Sequence, residues 1–159
     1  MKMSADSPPL WKVIAGATLL VGALDISDAF IFYGLRGVTP TRILQGIASG
    51  ALGRAAFGMG VRSTLLGLFF HFFIAFSATT VFLLASRKLP FARHPFLYGT
   101  LFGVALYCVM NYAVLPLSKI GWRPIPPLIP LVNGVAALVF CIGIPLAFIA
   151  RRYIPQQIT

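Results

Sequence analysis

The sequence predicts an all-α integral membrane protein, in which four transmembrane helices form a bundle and a short interfacial or re-entrant helix follows the first span. Hydrophobic residues make up 58% of the 159 residues and charged residues only 10%, whereas roughly a quarter of a soluble domain is charged. Four apolar runs are each long enough to cross the hydrocarbon core of a bilayer. We therefore expect residues 1–159 to form a single transmembrane domain.

The four expected spans cover residues 13–35, 62–85, 96–117 and 128–150. The net charge of +10 comes from basic residues that stand singly or in pairs at the ends of these runs. Lys and Arg in such positions extend their charged ends towards lipid headgroups. The charge therefore indicates a lipid bilayer as the partner and does not indicate nucleic acid.

A shorter helix is expected at residues 40–52, because Thr39 can cap its first turn and Pro40 suits the first helical position. The segment is too short and too polar to span, so we expect it along the interface or re-entering the membrane against protein. Its apolar face comprises Ile43, Leu44, Ile47 and Ala51, and Arg42, Gln45 and Ser49 lie off that face.

Two G-x-x-x-G pairs indicate where helices approach closely. One pair is Gly46 and Gly50 in the short helix, and the other is Gly99 and Gly103 in the third span. Small residues let helix backbones meet in a membrane, so we expect close helix contacts at both pairs.

Two acidic residues, Asp25 and Asp28, lie within the first span. A carboxylate at that depth costs roughly 2.5 to 3.5 kcal/mol on insertion scales, so the other helices must shelter both side chains. His71 lies on a stripe of small residues in the second span, and Asn111 and Asn133 lie in the third and fourth spans. We expect these groups to lie at similar depths, roughly 9 to 16 Å below the outer edge of the membrane at about 1.5 Å per residue.

We expect Asp28 to face His71, with Asp25 about one helical turn deeper and Asn111 close by. In one interpretation these groups and Asn133 bind a ligand or an ion. In the other they form an internal network that only fixes helix order.

No sequence pattern supports an enzyme. The chain contains no nucleophile elbow, phosphate loop or His-Glu-x-x-His pattern, so no catalytic residue and no cofactor is expected. Asp25, Asp28 and His71 are also possible divalent-metal ligands, which leaves a metal-dependent membrane enzyme as an open alternative and the metal unknown. Cys108 and Cys141 lack a Cys-x-x-Cys spacing and are interpreted as small apolar side chains.

The total number of Lys and Arg residues is nearly equal on the two sides of the membrane. The basic loop from Arg87 to Arg93 and the pair Arg151 and Arg152 favour both termini in the cytoplasm. We therefore expect residues 40–60 on the outer side.

Two segments, Pro40-Thr-Arg-Ile-Leu-Gln-Gly-Ile-Ala-Ser-Gly50 and Asn111-Tyr-Ala-Val-Leu-Pro-Leu-Ser118, carry a resemblance to a family of uncharacterised bacterial four-span inner-membrane proteins. The resemblance covers most of the chain and implies a bacterial inner membrane and a compact four-helix fold. That family has no assigned activity. The chain shares with small multidrug transporters only the general plan of four short spans and an acidic first span.

These observations lead to two functional hypotheses. In the first, the protein binds or moves a proton, a cation or a small polar solute through the buried Asp and His residues. In the second, it is a non-catalytic scaffold subunit whose G-x-x-x-G faces recruit partner helices or a second copy of the chain.

Overall fold

The computed structural model describes residues 8–89, 91 and 93–154. Five main helices account for most of this part of the chain: α1 (Leu10–Gly34), α2 (Pro40–Leu52), α3 (Val61–Ala85), α4 (Pro95–Leu117) and α5 (Leu128–Tyr153). All except α2 are long and apolar enough to cross a membrane, and they begin and end close to the expected spans. The topology prediction depends partly on residues 1–7, which lie outside the described residues.

Helix α2 begins where the Thr39-Pro40 pair indicates. The Thr39 side chain accepts a hydrogen bond from the backbone N–H of Arg42 at 3.3 Å, and Pro40 occupies the first turn. The placement of α2 in a bilayer stays a prediction.

The buried face of α2 differs from the expected one. Its buried residues are Leu44, Gln45, Ala48 and Ser49. The two polar residues are tolerated there because each bonds to a backbone carbonyl, Gln45 to Gly60 at 3.3 Å and Ser49 to Gly46 at 2.6 Å.

The helices pack in the spatial order α2, α3, α1, α5, α4. Helices α4 and α5 meet at Gly99 and Gly103, as the spacing of these glycines predicts. A Cβ atom added at Gly99 would lie 2.7 Å from Cα of Ile144, and one at Gly103 would lie 2.6 Å from Cα of Val139. Any side chain at either position would push the two backbones apart.

The close contact expected at Gly46 and Gly50 is wrong. A Cβ atom at Gly46 would have no heavy atom within 4 Å, and one at Gly50 would reach only Ser118 at 3.8 Å and Ile120 at 4.0 Å. The close approach of α2 to α3 occurs instead at Gly67, where a Cβ atom would overlap the carbonyl oxygen of Leu44. The glycine on the partner helix, and not the pair within α2, permits this contact.

Helices α4 and α5 each contain one widened turn. The π-helical segments Met110–Val114 and Leu138–Gly143 stand directly before turns that contain Pro116 and Pro145. A proline lacks the N–H group and clashes with the carbonyl four residues earlier, and a local π turn relieves that clash. In α4, the widened turn lies at the end of the helix nearest α2.

The two halves of the bundle are packed differently. In the terminal half, which contains the start of α1 and the end of α5, α1, α3 and α5 bury a continuous apolar cluster. Val21, Phe82, Leu83 and Leu146 are completely buried there. In the opposite half, which we call the α2 half, the helices separate around a cavity.

Candidate functional site

The cavity in the α2 half has a volume of about 720 Å³ and is bordered by α1, α2, α3, the widened turn of α4 and the loop that follows it. Volumes of roughly 300 to 1,000 Å³ are typical of sites for small ligands. Its lining is mainly aliphatic and aromatic, with only a few ionisable side chains. These are Asp25, Tyr33, Arg42, His71 and Arg123.

Asp25 and His71 meet within this lining. Oδ2 of Asp25 lies 4.0 Å from Nδ1 of His71. The other imidazole nitrogen, Nε2, lies 2.8 Å from the carbonyl oxygen of Gly22. A carbonyl can only accept, so Nε2 carries a proton and donates it to Gly22. Nδ1 is therefore the ring nitrogen that faces the Asp25 carboxylate.

The distance between Asp25 and His71 is too long for a direct hydrogen bond. The Asp25 carboxylate has no hydrogen-bond partner among the described residues, and its side chain is 22% exposed. Buried polar groups in proteins are nearly always bonded, so a half-buried carboxylate without a partner, facing a cavity, is available to a ligand.

Asp28 is partnered differently. Its Oδ2 accepts a hydrogen bond from Nδ2 of Asn133 at 2.9 Å, which joins α1 to α5. Asp28 and Asn133 do not border the cavity. The expected pairing of Asp28 with His71 is therefore replaced by two separate pairs, one facing the cavity and the other between α1 and α5.

The observed helix ends explain these pairs. Asp25 lies nine residues before the end of α1 and His71 ten residues after the start of α3, which is about 14 and 15 Å of helix rise. Asp28 and Asn133 lie about 9 and 8 Å from the corresponding ends of α1 and α5. Residues at similar depth pair, and a difference of less than one helical turn is enough to select the partner.

Asn111 does not join either pair. Its Nδ2 donates to the carbonyl oxygen of Tyr107 in its own helix at 2.9 Å. Asn111 lies in the widened turn of α4, where backbone carbonyls lose their usual partners. The sequence predicts Asn111 close to Asp28 and His71, but its side-chain hydrogen bond is made within α4.

Arg42 and Arg123 border the cavity together with Asp25. The Arg42 guanidinium lies 4.0 Å from the ring centroid of Phe57, in a cation–π contact that orients the group without neutralising it. In the described part of the chain, the one contact between a carboxylate and a basic side chain within ion-pair distance is that of Asp25 with His71. Neither arginine therefore has an ion-pair partner among those residues.

The described residues contain no group of three or more His, Cys, Asp or Glu side chains placed to hold a metal ion. Cys108 is exposed, and Cys141 is half-buried in the widened turn of α5. The two cysteines do not form a disulfide bond.

Sequence reasoning missed Arg42, Arg123 and Gly67. Arg42 adjoins the apolar face of an amphipathic helix, which is a weak signal for a cavity. Arg123 reaches the cavity from a proline-rich loop, and no local pattern indicates that position. Gly67 does lie on the small-residue stripe of α3 that carries His71, and that stripe is the signal that could have located its contact with Leu44.

Comparisons of the chain with protein-family models, with curated proteins and with solved structures find no match.

Proposed function

We propose that this polytopic membrane protein binds a small polar solute in the cavity and moves it across the membrane, with the Asp25–His71 pair taking up or releasing a proton as it does so. The observation that carries the proposal is the position of the Asp25 carboxylate, which has no hydrogen-bond partner among the described residues and lies 4.0 Å from Nδ1 of His71 in the cavity lining. Intramembrane ionisable groups that face a cavity commonly belong to ion and proton pathways.

The proton is shared by two acceptors. Because Nε2 of His71 is committed to Gly22, the pair has one labile proton, on Nδ1 or on the carboxylate. A charged group that enters the cavity changes the balance between these forms through its electrostatic field. Solute binding and proton binding are then coupled by the same free energy, whichever occurs first.

The charges around the cavity support a polar solute over a free cation. Two arginines and one aspartate border it, so the local charge is positive when Nδ1 of His71 is unprotonated. Coulomb repulsion from two guanidinium groups disfavours the binding of a cationic solute near them. The cation that we considered from the sequence is therefore not the solute that we propose.

The two acidic residues are expected to differ in role. The Asp28 carboxylate is bonded to Asn133 outside the cavity lining, as expected for a group that fixes the positions of two helices. The internal-network interpretation thus suits Asp28 and Asn133, and the solute site suits Asp25 and His71.

Proteoliposomes that contain a trapped pH-sensitive dye would test this proposal. A panel of small carboxylates, phosphates, amines and sugars is added from outside, and the internal pH is followed. We expect at least one chemical class to cause a proton movement with the parent protein and with Asp28→Asn, but not with Asp25→Asn. Equal responses from the parent and Asp25→Asn would contradict the proposal.

A scaffold role is the second candidate, and one observation favours it. Only 6% of the residues in an apolar stretch of α4 are buried inside the bundle, so about half of this helix is exposed and free to contact lipid, a second copy or another membrane protein. The inward positions of Gly67, Gly99 and Gly103 support the first candidate, because these small residues are used within the chain.

We also propose a bacterial inner membrane as the location, with both termini cytoplasmic and α2 on the outer side. The basic loop between α3 and α4 and the Arg151 and Arg152 pair at the end of α5 support this orientation. The cavity would then open towards the outer face.

A further inference from the structure

We infer that the solute is an amphipathic anion, with a carboxylate or phosphate group held by Arg42 and Arg123 and a hydrocarbon body lying along the cavity wall. This inference rests on the proposed function and specifies its solute class. It is carried by three features of the cavity: its two unpaired guanidinium groups, its apolar wall and the position of Asp25 and His71.

The two arginines provide the site for the anionic group. They come from different segments, Arg42 from the first turn of α2 and Arg123 from the loop after α4, yet both border the same cavity. Neither forms an ion pair with a carboxylate of the described residues. Planar guanidinium groups bind carboxylate and phosphate oxygens with paired hydrogen bonds.

The wall between the arginines and Asp25 suits a hydrocarbon chain. Asp25 lies about 14 Å below the end of α1 at 1.5 Å per residue, and Arg42 follows just beyond the turn after that end. The apolar side chains of the cavity lining include Ile43, Ile47, Phe70, Ile74, Val114 and Leu115. Transfer of a hydrocarbon chain from water to such a wall is favourable by about 0.8 kcal/mol per methylene.

The anion also accounts for the proton. A negative charge that enters the cavity stabilises the protonated form of the Asp25–His71 pair. Binding of the anion is therefore accompanied by proton uptake, and the anion and the proton together carry less net charge across the apolar part of the bundle than the anion alone. The direction of the proton movement is a specific consequence of this solute class.

Trp122 offers a direct reporter of binding, because it is adjacent to Arg123 in sequence, is 75% exposed and lies 6.4 Å from the ring of Tyr112. The chain has two tryptophans, so Trp11→Phe leaves Trp122 as the single tryptophan. The protein with this substitution is placed in nanodiscs of zwitterionic lipid and titrated with decyl phosphate. Decyltrimethylammonium serves as the matched cation.

We expect decyl phosphate to cause a saturable decrease or increase of Trp122 fluorescence, and decyltrimethylammonium to cause no saturable change. Arg42→Gln and Arg123→Gln should each raise Kd by about tenfold or more, the factor that corresponds to loss of a hydrogen bond to a charged group. Arg42→Lys should retain more affinity than Arg42→Gln because it keeps the charge.

Arg36→Gln is the matched control. Arg36 lies at the same end of the bundle, but its Nη1 donates to the Phe32 carbonyl at 2.6 Å and it does not border the cavity. The Kd of Arg36→Gln for decyl phosphate should equal that of the parent protein. Equal binding by the parent, Arg42→Gln and Arg123→Gln, or saturable binding of the cation, would overturn the inference.

The source of the anion is distinguished by a second set of nanodiscs that contain phosphatidylglycerol. If a bilayer lipid occupies the site, phosphatidylglycerol should compete with decyl phosphate and raise its apparent Kd for the parent protein. Native mass spectra should then show phosphatidylglycerol bound to the parent and not to Arg123→Gln. If the anion is a free amphiphile, the Kd should not change. Both results retain the anion site, which the arginine variants test.

Failure of this inference can be separated from failure of the proposed function. Proton uptake on binding is measured in weakly buffered medium with the parent and with Asp25→Asn. If the arginine variants lose affinity but Asp25→Asn takes up protons like the parent, the anion site stands and the proton link fails. If the arginine variants bind normally and Asp25→Asn alone loses the proton signal, the anion assignment fails and the proton link stands.

Discussion

Nδ1 of His71 lies 4.0 Å from Oδ2 of Asp25, and its other ring nitrogen is hydrogen-bonded to the Gly22 carbonyl on the same helix as Asp25. The imidazole is thereby fixed against α1 by one nitrogen and presents the other to an acidic side chain. The pair borders a cavity of about 720 Å³. This relationship connects the fold to the proposed function, because it leaves Nδ1 and the Asp25 carboxylate as the two acceptors of the proposed labile proton.

Asp25→Asn should not reduce stability, and it should abolish the response to solute. The Asp25 carboxylate has no hydrogen-bond partner in the described part of the chain, so a neutral amide is easier to bury at this position. Unfolding in mixed micelles with increasing SDS measures the free energy of unfolding. A decrease of more than about 1 kcal/mol, the typical net value of one hydrogen bond, would show that Asp25 has a structural partner.

Asn133→Ala should lower stability. It removes the donor to Asp28 and leaves a partly buried carboxylate without a partner, which costs about 1.5 to 3 kcal/mol for a hydrogen bond to a charged group. Asn111→Ala is the control, because Asn111 bonds only to the backbone of its own helix. The same SDS unfolding measurement should give a smaller loss for the control. Equal losses would contradict the separate roles of the two asparagines.

Glycine substitutions should separate a helix contact from a cavity wall. Gly99→Ala places a Cβ atom against Ile144 and Gly143, so overpacking should lower the free energy of unfolding by about 1 to 3 kcal/mol. Gly46→Ala meets no atom within 4 Å and improves helix propensity, so stability should stay equal or rise by up to about 1 kcal/mol. If Gly99→Ala unfolds like the parent, the contact of α4 with α5 is wrongly described.

Gly46→Leu should fill the cavity without unfolding the protein. Gly46 borders the cavity and has open space beside it, so the new side chain occupies volume that the solute requires. We expect normal stability in the SDS assay and loss of decyl phosphate binding in the Trp122 assay. Binding at the parent affinity by a folded Gly46→Leu variant would place the solute elsewhere.

Topology can be tested with introduced cysteines after Cys108 and Cys141 are replaced by alanine. Thr41 and Lys88 are both exposed and lie at opposite ends of the bundle. In intact cells, a membrane-impermeant maleimide should label Thr41→Cys and should label Lys88→Cys only after the cells are disrupted. The reverse pattern would place α2 and the cavity on the cytoplasmic side.

Hydrophobic length and proline positions were sufficient to predict the long helices, because crossing a bilayer requires about 20 apolar residues and leaves little freedom. The contact at Gly99 and Gly103 could also be predicted from the sequence, because glycines four residues apart lie on the same helix face. The partners of Asp25 and Asp28 could not be predicted from the sequence. Asp25 and Asp28 differ by less than one helical turn, so a small error in the helix ends exchanges their partners.

The cavity could not be predicted from the sequence either. It depends on how α2 lies against α3, and that is decided by Gly67 and the backbone of Leu44. The buried positions of Gln45 and Ser49 follow from carbonyl groups that only the folded chain brings near them. Hydrophobic periodicity alone assigned these polar residues to the wrong face.

The protonation of both ring nitrogens of His71 can be observed by ¹⁵N NMR of its side chain. The chain has two histidines, so His94→Asn leaves a single imidazole to observe. We predict that Nε2 is protonated with and without solute and that saturating decyl phosphate increases protonation of Nδ1 in the parent but not in Asp25→Asn. A mixture of tautomers at His71, or the same response in Asp25→Asn as in the parent, would contradict the account.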